Sequence, residues 1–194
     1  MKKNRQIGFS LIEVLISIFV LALGVIGAAG MQLVALRTSQ QSSLQSVAVQ
    51  LATEMADKMR ANAKQMNQAD SANPFVFSHD AAADQAPSLP RTVCYGSTAC
   101  SDAQMASFDI YDWIMRLRTE LPSGKVTICR DASPWNSTDG ALSWNCSYAA
   151  STDNNAPFVI KVGWQGKNPD GSLMRDADKK FPPIVAIAVE PYVK

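Results

Sequence analysis

The chain has 194 residues with 18 Lys and Arg against 17 Asp and Glu, a formal charge of +1. That length holds one domain of ordinary size with an appendage and excludes a large multidomain enzyme. A composition 47% hydrophobic and 18% charged excludes a disordered chain, and the near-neutral balance gives no electrostatic footprint for nucleic acid.

The first element is a membrane-length apolar helix. From Phe9 to Leu36 the only charged residue is Glu13, and 28 residues of helix extend about 42 Å, enough to cross a bilayer. The basic segment Lys2, Lys3 and Arg5 in front of it holds the N-terminus on the cytoplasmic side and sends the C-terminal bulk outward. A secretory signal cut near Ile26–Met31 competes with this reading, but a disposable signal has little reason to keep the costly carboxylate of Glu13.

Gly24, Gly27 and Gly30 recur at three-residue spacing on nearly one helix face, where close backbone approach and local unwinding are both available. Past Arg37 the pattern becomes a stripe of Leu44, Val47, Leu51, Met55, Met59 and Met66, flanked by Ala48, Ala52 and Ala63, with polar residues elsewhere. The spacing predicts an amphipathic helix over 37–66, continuous with the membrane part over about 80 Å and packed under a sheet.

Between Asn67 and Ser107 no period is sustained, and the composition predicts a long surface loop in which Phe75-Val76-Phe77 adds a short strand or an anchor. A second helix is predicted over Asp109–Glu120, where Ile110, Trp113, Ile114 and Leu117 share a face and Leu121-Pro122-Ser123-Gly124 ends it. Strands are predicted at Lys125–Arg130, Leu142–Tyr148, Phe158–Trp164 and Ile184–Glu190. In the second of these Leu142, Trp144, Cys146 and Tyr148 share one face. Helix first and strands after imply an α+β domain with an antiparallel sheet.

The four cysteines lack C-x-x-C spacing and lie in the segment expected outside the cytoplasm, which favours disulfides over zinc. Of three connectivities, Cys94–Cys100 with Cys129–Cys146 is preferred because each closes a local loop, the second between neighbouring predicted strands. No catalytic constellation is present: His79, the single histidine, is placed in a polar Ala/Asp loop with no nucleophile in a recognisable setting. Asp170, Asp176 and Asp178 miss the EF-hand spacing and read as an exposed turn, so no metal and no cofactor is expected. Asn136-Ser137-Thr138 and Asn145-Cys146-Ser147 fit the short glycosylation pattern, which is common by chance.

Gly8-Phe9-Ser10-Leu11-Ile12-Glu13-Val14-Leu15, behind its basic leader, resembles the prepilin signature of type IV pilins and type II secretion pseudopilins. The resemblance implies cleavage after Gly8 by a prepilin peptidase, methylation of Phe9 as the new N-terminal residue, and pairing of Glu13 with the terminal amine of a neighbouring subunit. It divides the chain into a leader over 1–8, a membrane and filament-core helix over 9–36, an amphipathic half over 37–66 and a globular head over 67–194. Trp113–Gly124 followed by Val126–Ile128, with Val162-Gly163-Trp164 later, is similar to the PilV group of minor pilins. The implied partners are the major pilin, other minor pilins, the pilus assembly platform and the inner membrane, and the implied role is assembly initiation or a tip complex. The alternatives are a type II secretion pseudopilin and a single-pass membrane-anchored periplasmic binding domain.

Overall fold

The computed structural model describes residues 10–147, 156–168, 172–173 and 181–190. Helix α1 spans Leu11–Ala61, 51 residues. The chain divides into one compact unit up to Gln40 and another from Gln41 onward. In the first, the helical residues are exposed throughout, Leu11 at 81%. In the second, Ala48, Leu51, Ala52, Met55, Ala56 and Met59 form the buried stripe that the spacing predicts.

The amphipathic helix does not run unbroken to residue 66. It stops at Ala61, and a single turn, α2 (Ala63–Met66), follows Asn62. The Asn62 backbone leaves the helical region with φ −109° and ψ 56°, while its side-chain Nδ2 donates to the carbonyl of Asp102 at 2.7 Å. An asparagine that bonds a distant backbone group forfeits the regular helix to do so.

The expected long loop contains more structure than its composition suggests. Phe75 is fully buried, and strand β1 (Phe77–Asp80) pairs antiparallel with β2 (Lys125–Arg130). His79 therefore lies on a strand, 7% exposed, and not in a polar loop. Helix α3 spans Asp102–Glu120, starting seven residues earlier than expected. Its start is fixed by Ser101, whose hydroxyl accepts from the Gln104 backbone N–H while the Gln104 side chain accepts from the Ser101 N–H. The end falls as predicted: Gly124 packs so close to the Leu117 carbonyl that an added Cβ would lie 3.0 Å from it.

Among the described residues the main sheet is antiparallel in the order β1, β2, β5 (Phe158–Gly163), β6 (Val185–Val189). Register places Val126 opposite Val162 and Ile128 opposite Ile160, then Ile160 opposite Ile187 and Phe158 opposite Val189. This face joins Leu51, Met55 and Met59 of α1 and Trp113 and Leu117 of α3 in one core.

The predicted strand at Leu142–Tyr148 does not form. Trp135–Asn136 (β3) and Ala141–Leu142 (β4) make a small separate hairpin, and Tyr148 lies outside the described residues. Residues 143–147 cross the outer face of the main sheet instead of joining it. The register puts Lys125, Thr127 and Cys129 on that face beside Gly163, Lys161 and Val159. There Trp144 meets Gly163, where an added Cβ would lie 2.9 Å from the ring, and the Lys125 ammonium sits 4.8 Å above the same ring. Lys161 Nζ donates to the Asn145 carbonyl at 2.6 Å, and Cys146 is bonded to Cys129. The backbone of this segment bonds side chains and the neighbouring loop instead of a strand, with Ser143 Oγ accepting from Asn145 N, Asp131 Oδ1 from Ser147 N, the Pro134 carbonyl from Ser143 N and the Ser147 carbonyl from Ala132 N. The covering explains why β5 is buried on both faces.

Val, Ile and aromatic runs between turn-formers thus mark β2, β5 and β6 correctly, whereas the alternation over 142–148 does not correspond to a strand of the sheet. The disulfides are Cys94–Cys100 and Cys129–Cys146, the latter joining a strand to the covering segment instead of two neighbouring strands.

Candidate assembly site

Ser10 opens α1, its carbonyl accepting from Glu13 N at 3.0 Å and from Val14 N at 3.3 Å. Glu13 thus sits in the first turn, where the unpaired N–H groups and helix dipole favour a carboxylate. Ser17 Oγ donates to the Glu13 carbonyl at 2.7 Å, a bond that satisfies a hydroxyl within an apolar segment. Gly8 and Phe9 lie outside the described residues.

Downstream, Leu15, Phe19, Leu23, Ile26 and Leu33 are exposed, and the most apolar window of the helix has a mean hydropathy of 2.6 with none of it buried within the chain. Burying one such side chain is worth about 1.5–3 kcal/mol, so a surface of this size cannot be left to water. It is a helix long and apolar enough to anchor in a membrane. An added Cβ at Gly24, Gly27 or Gly30 would meet nothing within 4 Å. The notches these glycines leave are open for an outside helix.

The other compact unit carries a second construction, the attachment of α3 to α1. Trp113 Nε1 donates to the Leu51 carbonyl at 2.8 Å, Lys58 Nζ pairs with Asp109 Oδ1 at 2.8 Å, and Arg116 pairs with Glu54. Burial alone would push the Glu54 carboxyl up, but the hydrogen bond and charge of Arg116, with Lys58, outweigh it and hold the group below its ordinary value. The same carboxylate raises Arg116.

A groove of about 580 Å³ lies between α3 and the segment before the first disulfide, lined by Pro87, Pro90, Arg91, Gln104 and Tyr111. No group of three or more His, Cys, Asp or Glu side chains gathers in metal-binding geometry among the described residues.

Residues 3–29 match the family model described as the prokaryotic N-terminal methylation motif, and residues 30–111 match the one described as type IV pilin Tt1218. The chain is type IV pilin-like. Its long N-terminal helix packed with a C-terminal antiparallel sheet is the architecture that the resemblance implies. The second match ends within α3, so β2 through β6 of this pilin-like chain lie beyond it. No curated protein and no solved structure matches the chain. A pilin is a structural subunit, and the methylation motif implies processing by a prepilin peptidase and assembly into a pilus.

The sequence singled out Gly8, Phe9 and Glu13 at one end and the four cysteines at the other. Its reasoning missed the attachment of α3 to α1, for which the placement of Glu54, Lys58, Asp109 and Arg116 on two amphipathic helices was the available signal. It also missed His79 as a buried group, because β1 is only four residues long and its apolar neighbours precede it.

Proposed function

We propose that the chain is a minor pilin, stored in the inner membrane with its head in the periplasm and drawn into a type IV pilus at assembly initiation or in a tip complex. The observation that carries this is a lone carboxylate, Glu13, in the first turn of a helix that is otherwise uncharged through Leu36 and exposed through Gln40, and whose start falls within the methylation-motif match over residues 3–29. The basic residues Lys2, Lys3 and Arg5 support the orientation. The partners are the major pilin, other minor pilins, the prepilin peptidase and the assembly platform. The chain's similarity to the PilV group over Trp113–Gly124 supports the minor-pilin assignment over a pseudopilin.

Processing gives the first expected result. Cleavage after Gly8 removes eight of 194 residues and leaves 186, and loss of Lys2, Lys3 and Arg5 takes the side-chain charge from +1 to −2. Intact mass of the membrane-extracted protein should report this species with one added methyl group on Phe9. A mature chain that begins at Met1 or near Met31 would overturn the assignment.

Deleting the gene is expected to reduce or abolish surface piliation while the major subunit remains stored in the membrane. Counting pili by electron microscopy and assaying secreted proteins in parallel decides between the two homologous machines. Normal piliation with failed secretion would assign the chain to type II secretion.

A further inference from the structure

His79 lies on β1, directly opposite Val126, which puts its ring on the core face at the edge of the sheet next to α3. Its Nε2 is 3.0 Å from Arg118 Nη1. A guanidinium has only donors, so Nε2 accepts, the imidazole is neutral and its proton is on Nδ1. That nitrogen faces Asp84 Oδ2 at 3.6 Å. The same Arg118 Nη1 also donates to the Asp84 main-chain carbonyl at 3.0 Å. The turn itself is closed separately, with Asp84 Oδ2 accepting from Asp80 N at 2.7 Å and the Asp80 carbonyl accepting from Asp84 N at 2.7 Å.

We infer that His79 is a proton-operated latch that, through Arg118, ties the segment 81–91 to α3. When Nε2 gains a proton it becomes a donor facing a donor, and the hydrogen bond is replaced by two cations at contact distance. Asp84 holds the imidazolium from the Nδ1 side, so Arg118 is the group that leaves. Its departure frees the Asp84 carbonyl and with it the segment's tie to α3. At the far end the segment stays pinned, because Gln104 Nε2 donates to Thr92 Oγ1 at 3.1 Å. Opening therefore swings Pro87, Pro90 and Arg91 away from Tyr111 and widens the groove between them.

The groups around the ring set where the latch works. Arg118 faces it from α3, Asp80 and Asp84 from the turn, and Lys125 of β2 reaches Asp80 at 3.8 Å. Burial lowers the imidazole below its ordinary value and Arg118 adds to this, while Asp84 and Asp80 oppose it. A base depressed in the folded state contributes stability that is complete above the unfolded value of 6.5 and is lost as the pH falls through the folded value. The latch is shut at neutral pH and opens in acid. This inference does not rest on the pilus reading.

The test uses the full chain in detergent micelles. His79 is the single histidine, so the ring resonance titrates without ambiguity. Amide exchange of peptides within 81–91 is followed over the same range, from about pH 7.5 to about pH 5, with His79→Gln as the reference. The glutamine oxygen still accepts from Arg118 but does not titrate. The wild-type to variant exchange ratio is expected to rise about fivefold or more toward acid, with a midpoint equal to that of the ring and below 6.5. Equal pH dependence in the two proteins, or a ring that titrates with no change in 81–91, would overturn the latch. Should the variant fail to fold, wild-type protein alone decides, since a ring midpoint that differs from the exchange midpoint refutes it equally.

Discussion

Glu13→Ala protein is expected to be cleaved after Gly8 and inserted in the membrane as the wild type is, yet to be missing from pili. A carboxylate at the centre of a membrane helix costs about 2.5–3.5 kcal/mol on insertion scales, and less at the end where Glu13 lies. Removing it cannot harm insertion. Within a filament the surrounding surface is apolar, and a charge buried there needs a partner. In the proposed assembly, the amine that cleavage after Gly8 would create at Phe9 supplies one. Four residues along the same helix is an awkward reach for it, whereas the corresponding amine of an adjacent subunit can meet the carboxylate and fix the axial step between them.

Truncating one member of a buried charge pair at an interface costs about 2–5 kcal/mol, which lowers incorporation by roughly thirtyfold or more. Immunoblots of sheared pili, normalised to the membrane pool, read this directly. Equal incorporation of the variant would leave Glu13 as a carboxylate held at the membrane edge by headgroups and the helix N-terminus.

The second large effect is expected at Lys161. Its side chain and that of Asp131 are both 0% exposed, and they form an ion pair on the outer face of the sheet. Asp131 also accepts from Ser133 N at 2.9 Å and Ser147 N at 3.2 Å, and Lys161 donates to the Asn145 carbonyl, so the pair holds the C-terminal end of the covering segment against β5. Lys161→Met leaves the carboxylate buried with no cation, at a cost of about 3–5 kcal/mol, a large share of a typical total of 5–15 kcal/mol. For a domain of this size that lowers the melting temperature by about 6–20 °C. Adding Asp131→Asn removes the stranded charge, keeps an acceptor for the two backbone donors and should recover most of the loss. Near-UV circular dichroism of the detergent-solubilised chain follows both. A single-variant loss below about 1 kcal/mol would mean that water reaches the pair.

The contrast between these two residues shows what was legible in the sequence. Glu13 is conspicuous because the run around it is apolar, and the Met and Leu stripe after Arg37 reads as a buried face from its helical spacing: both signals are carried by contiguous sequence. Strands β2, β5 and β6 are runs of Val, Ile and Phe between turn-formers, which position them almost to the residue. The Lys161–Asp131 pair is invisible to such reasoning, since its members are thirty residues apart and each reads as surface when taken alone. Leu142–Tyr148 looks like a strand because its apolar residues alternate, whereas residues 143–147 are held as a cover by that pair. The early start of α3 was legible and overlooked, because Ser101 and Gln104 stand at capping-box spacing.

The bonds from α3 to α1 carry a mechanical consequence. Leu51, Glu54 and Lys58 are spread over two turns of α1, and their partners Trp113, Arg116 and Asp109 are spread over two turns of α3. A pull along the axis of α1 within this unit would load these links in shear, sharing the tension among them, whereas a perpendicular pull would peel them one after another. The head is thus braced against traction applied through its own helix and yields most easily to a force that lifts α3 sideways.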